Sequence, residues 1–481
     1  MKEEKNMKQN IFKYICLAGI LCLMTSCEDW LDVRPKSQVK EEVFFDQEDG
    51  FRNAMLGVYT IMASNDLYGG ETTMAILDVL AQQYTSVGSE YVPALQYNYQ
   101  DNASKTRLDA IWTNAYNGVV NCNYILKNIN EKGAMLPDSL RRLVQGEALA
   151  ARAFLLFDII RAYAPSYKSG KDKSGVPIVR EVTNSPVPPT TVAAALDILV
   201  GDLKEARDLV KDIDPLGPAH DTYTESTDYK ADEYLADDGF WLFRTSRFNY
   251  YGMTALLARI CLYKEDMSGA LQYAQEVINS GKFTLINDQT MSEDSRSYPS
   301  VAECMAHHEY ITSLYVYDLK KSHNDLYFLD NQAALTISND RKTDMFGGVG
   351  LDFDFRARRL FSIPTGNTKE YINKYITGTQ IPLLKLGEMY LIAAEASGDI
   401  EYLKTFRRLR GYTTNPLPDG EDLQTELTKE YQREFIAEGQ LFYYYKRQAF
   451  SQIPNTSIPT TQDVYILPQP DEEIEFGYTN N

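Results

Sequence analysis

The sequence lacks the short motifs that usually identify catalysis or metal binding. Histidine is scarce, with 4 residues in 481, and no Gly-rich phosphate loop, G-x-S-x-G, H-E-x-x-H or C-x-x-C pattern occurs in it. Their absence gives no support to a P-loop nucleotide hydrolase, an α/β-hydrolase, a zincin protease or a thioredoxin-like redox protein. The sequence therefore predicts no cofactor, no metal and no catalytic residue.

Cysteine is also scarce in the part of the chain that is expected to fold. Of the 6 cysteines, Cys16 and Cys22 lie in an N-terminal apolar run and Cys27 directly follows it. The other three are widely separated and odd in number: Cys122, Cys261 and Cys304. Such a set predicts no disulfide framework.

Basic residues are outnumbered by acidic ones. The chain has 48 lysines and arginines against 67 acidic residues, and its net charge is −19. Loss of the four lysines and two glutamates that precede Cys27 would take this charge to −21. An acidic body of this kind repels nucleic-acid phosphates and anionic headgroups, so we expect no nucleic-acid binding and no direct polybasic membrane contact.

Long apolar runs are missing, and the one short run is N-terminal. Lys8 and Lys13 precede the apolar residues 15–24, which Thr25, Ser26 and Cys27 follow. This order is typical of a lipoprotein signal peptide, so we predict that residues 1–26 are removed and Cys27 is acylated. The run is too short to span a bilayer, and the lipid would anchor the protein. An ordinary apolar helix is the alternative.

The longest apolar helical pattern covers residues 140–163, after Pro137 and Asp138 at its start and before Pro165 at its end. A helix apolar on most of its circumference is buried, so its charged residues Glu147 and Arg152 need partners on neighbouring helices. Similar patterns predict further helices at 46–62, 72–84, 104–130, 192–210 and 423–447.

Residues 258–278 and 389–409 share one design. Each has an apolar helix end, a short polar turn containing Asp266 or Asp399, and a second apolar-striped helix. This arrangement is similar to a degenerate tetratricopeptide helix-turn-helix. The two copies are separated by residues 281–379, where helical periodicity fades and residues 310–317 are predicted to form a strand.

Three groups of polar residues allow chemical alternatives. The acidic stretch 212–239 could gather around calcium through five carboxylates: Asp228, Asp232, Glu233, Asp237 and Asp238. A solvated loop is the alternative.

His307, His308 and Glu309 could ligate a metal, although adjacent residues of a strand point in opposite directions. Glu430 and Glu434 could form a glycosidase pair. Their spacing of four on a helix, with Arg433 between them, favours structural ion pairs instead.

A resemblance to a known family is carried by residues spread from Cys27 to the C-terminus. They are Leu31, Asp32, Pro35, Phe44, Phe45, Gly57, Val58, Tyr59, Trp112, Tyr116, Asn123, Glu147, Arg152, Ala153, Phe157, Asp158, Arg247, Ala258, Leu262, residues 381–396 (IPLLKLGEMYLIAAEA), residues 434–439 (EFIAEG), Ile466, Leu467 and Pro468. Jointly they resemble the SusD/RagB outer-membrane nutrient-binding lipoproteins.

The resemblance implies a mainly α fold, in which about four tetratricopeptide-like helix pairs form a right-handed superhelical scaffold. An irregular insertion with short strands would form the variable face. It also implies one domain over residues 27–481, divided into a helical part (27–280), the insertion (281–380) and a second helical part (381–481).

The resemblance further implies a non-catalytic surface protein that binds oligosaccharide and delivers it to a SusC-like TonB-dependent transporter. Glu28 and Asp29 resemble the acidic signal for export to the cell surface. Family members often carry Glu-Arg and Gly-His-Arg where this chain has Glu430-Tyr431 and Gly439-Gln440-Leu441. This departure puts a starch-like ligand in doubt.

Tyrosine and tryptophan rings can stack on sugars, and the chain contains 34 tyrosines and 3 tryptophans. Six of them, in an early loop and in or near the insertion, are the candidate ligand contacts: Tyr84, Tyr91, Tyr97, Trp241, Tyr315 and Tyr327. A peptide binder of the same fold, a glycoside hydrolase and a tetratricopeptide adaptor are the alternatives.

Overall fold

The computed structural model describes residues 41–220, 239–293, 301–328, 334–363, 369–414, 416–417 and 420–478. The predicted signal peptide, Cys27 with its acidic neighbours and the five candidate calcium ligands lie outside these residues. The chain divides into two compact units at residue 47. The described part of the first unit is a short helix, Glu41–Phe44, followed by a turn in which Asp46 N donates to Val43 O.

The second unit is mainly helical, which confirms the predicted fold class. Its described residues form twelve helices of eight residues or more. They are α1 (Glu48–Met62), α2 (Asn102–Lys132), α3 (Asp138–Tyr163), α4 (Val192–Val210), α5 (Tyr250–Tyr263), α6 (Met267–Ile278), α7 (Val301–His308), α8 (Asn339–Phe353), α9 (Leu386–Ser397), α10 (Ile400–Arg410), α11 (Leu423–Glu434) and α12 (Leu441–Gln448).

The central helix is α3, as the apolar pattern predicted. Every residue from Gly146 to Tyr163 is buried, and helices α2 and α4 pack against it. Four of its charged residues are buried: Glu147, Arg152, Asp158 and Arg161. Asp158 and Arg161 pair with each other, and Arg152 has the expected partners on neighbouring helices. Arg152 donates to Asn123 Oδ1 on α2 (2.9 Å) and to Asp202 Oδ2 on α4 (2.7 Å). Because each charge is paired, the helix can be buried on all sides.

The two predicted helical hairpins are α5–α6 and α9–α10. Asp266 caps α6 by accepting from Gly269 N (3.0 Å), and Asp399 caps α10 by accepting from Glu401 N (2.9 Å). Helix α9 packs on both α5 and α6, so the two hairpins adjoin although equivalent positions in them, such as 258 and 389, lie 131 residues apart in sequence. This packing supports the tetratricopeptide-like interpretation.

The described strands form four antiparallel two-stranded ladders. They are β1 (Ser86–Val87) with β5 (Leu335–Thr336), β2 (Ser174–Pro177) with β3 (Pro189–Thr191), β4 (Tyr310–Tyr315) with β8 (Gln380–Lys385), and β6 (Phe361–Ser362) with β7 (Tyr371–Ile372). Strand β4 confirms most of the predicted strand at 310–317. In its register, Tyr315 lies opposite Gln380.

Two helix predictions were wrong, and one junction explains both. Only Ile76–Leu80 is helical within 72–84, and the predicted helix 423–447 is broken between α11 and α12. At the break, Ala437 and Gly439 have positive φ angles of 57° and 66°. The buried Asp78 carboxylate accepts from both of their backbone N–H groups (2.6 and 3.2 Å), so tertiary hydrogen bonds replace helix continuation.

Gly439 is required by this junction. A Cβ atom there would lie 1.9 Å from the carbonyl oxygen of Thr72, and its positive φ favours glycine. The insertion 281–380 also differs from the expectation, because it contains the helices α7 and α8 in addition to short strands.

Candidate functional site

A groove of about 760 Å³ opens between α1, the segment 239–247 and the β4–β8 ladder. We refer to it as the aromatic groove. Its lining residues are Asp49, Arg52, Asn53, Leu56, Tyr59, Thr60, Gly239, Phe240, Leu242, Phe243, Ser246, Arg247, Tyr315, Thr379 and Gln380.

Helix α1 forms one wall of the groove because residues three and four apart share one helix face. Arg52, Asn53, Leu56 and Thr60 follow this spacing. The opposite face of α1, which includes Phe51, Met55 and Val58, is buried. The same amphipathic pattern that anchors the helix therefore presents polar side chains and one exposed leucine to the groove.

The floor of the groove is fixed by buried ion pairs. Glu147 of α3 accepts from Arg244 Nη1 (2.6 Å) and Arg247 Nη2 (2.9 Å), and its other oxygen accepts from Tyr59 Oη (2.9 Å). Asp214 binds the remaining edge of Arg244 (3.0 and 3.1 Å). The Arg247 guanidinium also lies 3.7 Å from the centroid of the Phe240 ring. These contacts hold segment 239–247 in one conformation.

Phe243 is presented to the groove by this anchored segment. Its backbone is left-handed (φ 54°, ψ 43°), which is unfavourable for a bulky residue. Its side chain is 48% exposed, while the next residue, Arg244, is fully buried. Strain and exposure of an aromatic ring are both tolerated when neighbouring contacts determine the backbone, and they cluster at binding sites.

The third wall is the outer end of the β4–β8 ladder. Tyr315 closes β4 with 57% of its surface exposed. Its partner Gln380 donates through Nε2 to Ser246 Oγ (3.0 Å), and Ser313 Oγ donates to Thr245 O (3.0 Å). These bonds connect the ladder to the groove floor, so Tyr315 and Phe243 line one cavity on a fixed framework.

The six predicted contact residues have different positions. Tyr84, Tyr91 and Tyr327 are buried, with hydroxyl groups that donate to Met74 O, Glu71 Oε1 and Asn65 Oδ1 respectively. Burial raises the pKa of Tyr97 to about 12, and its hydroxyl donates to Leu80 O (3.1 Å).

Tyr315 lines the aromatic groove, and the half-buried Trp241 lies in sequence between two lining residues, Phe240 and Leu242. Sequence reasoning missed Phe240 and Phe243. The run FWLF at 240–243 follows the acidic stretch, and this abrupt cluster of rings was a usable signal for them.

Glu430 and Glu434 lie in a buried ion cluster. Glu430 accepts from Arg356 Nη2 (2.5 Å) and Arg407 Nε (2.6 Å). Glu434 accepts from Arg356 Nη1 (2.6 Å) and forms ion pairs with Lys385 and Arg410. We refer to these residues, with Glu309, as the buried ion cluster.

Burial alone would raise the pKa of Glu430, but the guanidinium groups of Arg356, Arg407 and Arg433 outweigh it and lower the pKa. A general acid needs a raised pKa, so the expected structural ion pairs account for this carboxylate. Glu309 is also paired, through both oxygens, with Arg410 (2.7 and 2.8 Å).

Within the described residues no group of three or more metal-binding side chains converges. In the same residues, no helix has both the length and the apolarity needed to cross a membrane.

A second cleft of about 780 Å³ lies against α2 and the C-terminal helix Asp471–Phe476. Its lining includes Trp112, Tyr116, Pro186, Glu473 and Phe476. Trp112 is buried and Tyr116 Oη donates to Pro177 O (2.8 Å). Phe476 gives this cleft one exposed ring, whereas Tyr315 and Phe243 bring exposed rings to the aromatic groove from two separate segments, so the aromatic groove is the better candidate binding site.

Comparison with known proteins relates the chain to one group. A family model described as SusD-like, "Starch-binding associating with outer membrane", matches residues 29–216. The curated SusD-like protein P25 of Formosa agariphila is 27% identical over 168 residues, which cover 33% of this chain and 31% of that protein. The match thus spans less than one third of the curated relative.

Solved structures share the fold over most of the chain. A SusD superfamily protein from Bacteroides vulgatus has a TM-score of 0.68 at 21% identity, covering 89% of this chain and 97% of its own. A SusD-like carbohydrate binding protein from the same species gives 0.67 at 17% identity, covering 89% and 96%. A laminarin binding SusD-like protein gives 0.62 at 16% identity, covering 89% and 97%.

Proposed function

We propose that this chain, which is similar to SusD-like proteins over residues 29–216 and shares their fold, binds glycans in the aromatic groove and passes them to a SusC-like TonB-dependent transporter. Glycan binding in the family supports the ligand class. The location of the ligand in this groove is supported by its two exposed rings, Tyr315 and Phe243, which line one cavity together with hydrogen-bonding side chains.

The chemistry of the groove suits a sugar. One face of a pyranose ring carries C–H groups that pack on an aromatic ring, while its hydroxyl groups need polar partners at the edge. Asn53, Thr60, Ser246, Thr379 and Gln380 provide amide and hydroxyl groups beside the rings. Such contacts are individually modest, which suits a protein that must release its ligand to a transporter.

The test compares three proteins on native gels containing soluble polysaccharides and by calorimetry with the matching oligosaccharides. We expect the wild type to bind one or more glycans without shortening them. The double variant Tyr315→Ala/Phe243→Ala should lose this binding. Tyr317→Ala is the matched control, since Tyr317 is 85% exposed but does not line the groove.

Retention of peptides and of no glycan would replace the glycan by a peptide ligand. Release of shortened products would instead support an enzyme. Equal binding by the double variant and the wild type would remove the groove from the proposal, because neither ring would then contribute.

We further propose that residues 1–26 are a lipoprotein signal, that Cys27 carries the lipid, and that the protein faces the cell exterior. Metabolic labelling with a fatty acid should mark the wild type and not Cys27→Ser. Protease treatment of intact cells should degrade an exposed protein. Co-purification with a TonB-dependent barrel tests the transport partner directly.

A further inference from the structure

The charged side chains that line the aromatic groove are already paired. The described lining contains two cationic residues, Arg52 and Arg247, and one acidic residue, Asp49. Arg247 is bound from below by Glu147 and packs on the Phe240 ring. Arg247 is buried, and its guanidinium already has its partners in the floor of the groove.

Arg52 is paired in a different way, by residues of its own helix. Its Nη1 donates to Glu48 Oε1 (2.7 Å), and its Nη2 donates to Asp49 Oδ1. The Arg52 side chain is only 13% exposed, whereas that of Asp49 is 66% exposed. A ligand in the groove therefore meets a carboxylate before it can reach the guanidinium that this carboxylate holds.

We propose that Glu48 and Asp49 determine the charge class of the ligand: by occupying Arg52 they restrict the groove to uncharged glycans and exclude uronate and sulfated ones. This inference rests on the proposed function of the groove. An anionic sugar is normally bound by an arginine fork that offers two parallel N–H donors. Here both terminal nitrogens of the fork already have carboxylate partners, and Asp49 adds repulsion.

A purely structural role competes with this assignment. Acidic residues in the first turn of a helix interact favourably with its dipole, and pairs spaced three or four apart stabilise helices slightly. Glu48 and Asp49 satisfy both conditions in α1. A structural role alone predicts a small change in stability and no change in ligand preference, so ligand preference separates the two interpretations.

The test uses the double variant Glu48→Gln/Asp49→Asn, which keeps side-chain size and removes both charges. The matched control is Glu401→Gln/Glu131→Gln, which removes two exposed carboxylates from α10 and α2 away from the groove. Each protein is titrated at low ionic strength with neutral β-glucan and starch oligosaccharides, and with oligogalacturonate and a sulfated oligosaccharide.

We expect the wild type to bind a neutral oligosaccharide and to show no binding of either anionic oligosaccharide. The groove variant should gain roughly tenfold or more in affinity for oligogalacturonate, the effect of one new charge-assisted contact. The ratio of its affinities for oligogalacturonate and for the neutral ligand should therefore rise by a similar factor, since a neutral sugar makes no charge-assisted contact with Arg52. The control variant should gain nothing.

If the wild type binds an anionic glycan as tightly as a neutral one, and Tyr315→Ala loses that binding, the inference about ligand charge is wrong. The proposed function would still stand. Absence of a gain in the groove variant would overturn the inference about ligand charge too. Absence of any glycan binding by the wild type would overturn the proposed function and this inference with it.

Discussion

The buried ion cluster and the aromatic groove use the same residue types in opposite ways. In the cluster, Glu430 and Glu434 each contact several cations and have no exposed surface. In the groove, Arg52 and Asp49 form a pair at the solvent boundary, beside exposed rings. Burial decides which of the two regions can contact a ligand.

This difference explains why paired acids on a helix were a poor guide to function. A carboxylate that is enclosed by arginines has a lowered pKa and no room for substrate. It stabilises the packing of the insertion on the second helical part, because Arg356 of the insertion contacts both Glu430 and Glu434 of α11. The ligand-binding candidates are the side chains that remain exposed after such pairing.

The largest effect is expected from breaking the buried ion cluster. Glu434→Gln removes one charge and leaves Arg356, Lys385 and Arg410 with a deficit of negative charge, which should cost roughly 3–5 kcal/mol of unfolding free energy. Glu401→Gln, at the exposed pair with Lys404, should cost at most about 1 kcal/mol. Urea unfolding followed by circular dichroism measures both variants.

If the two variants lost equal free energy of unfolding, the buried ion cluster would contribute no more to stability than a surface ion pair. Where the folded Glu434→Gln protein is recovered, it should still bind glycan, because none of these residues lines the aromatic groove.

The second largest effect is expected from acid, which lowers the free energy of unfolding by protonating the carboxylates of the buried ion cluster. The pKa values of Glu430 and Glu434 are lowered in the folded protein from the ordinary 4.5. Both carboxylates therefore contribute stability above about pH 4.5 that is lost as the pH falls below it. Asp78 has the opposite sign, since burial raises its pKa.

We expect the unfolding free energy of the wild type to fall steeply between pH 5 and pH 3, in the range where ordinary carboxylates titrate. Glu434→Gln should show a shallower dependence over that interval. Parallel curves for the two proteins would contradict the assignment of acid sensitivity to this cluster.

A smaller effect is expected in the groove. Tyr315→Ala should weaken glycan binding by about tenfold at most, because one aromatic contact is worth roughly 0.5–1.5 kcal/mol. Stability should change little, since more than half of the side chain is exposed. Calorimetric titration of Tyr315→Ala beside Tyr317→Ala checks the effect. A loss in both variants would indicate a general surface effect rather than a contact in the groove.

The smallest effect is expected from salt. If the ligand is neutral and the lining charges stay paired, affinity should vary by less than about twofold between 50 and 500 mM sodium chloride, since screening acts only on charged contacts. A strong decrease with salt would mean that a free charge in the groove contacts the ligand.

The scaffold was predictable because its signals are local. The apolar circumference of α3 and the caps Asp266 and Asp399 all act within a few residues in sequence. The Asp78 contact with Ala437 and Gly439 was not predictable, since it joins positions about 360 apart.

The groove was only partly predictable for the same reason. Tyr315 was among the predicted contact residues and lines the groove. Phe243 was not, because its exposure depends on the binding of Arg244 to Glu147 and Asp214, which are far away in sequence. Tyr84, Tyr91 and Tyr327 have aromatic rings of the kind that stack on sugars, but tertiary packing buries them. Composition indicates that rings are available, whereas only the fold decides which of them face solvent.

The most direct measurement is a crystal structure of the protein with a glycan that it retains. Our account predicts a sugar packed on Tyr315 and Phe243, with hydroxyl groups bonded to Asn53 or Gln380. A sugar bound instead in the second cleft, against Phe476 and Glu473, would contradict it.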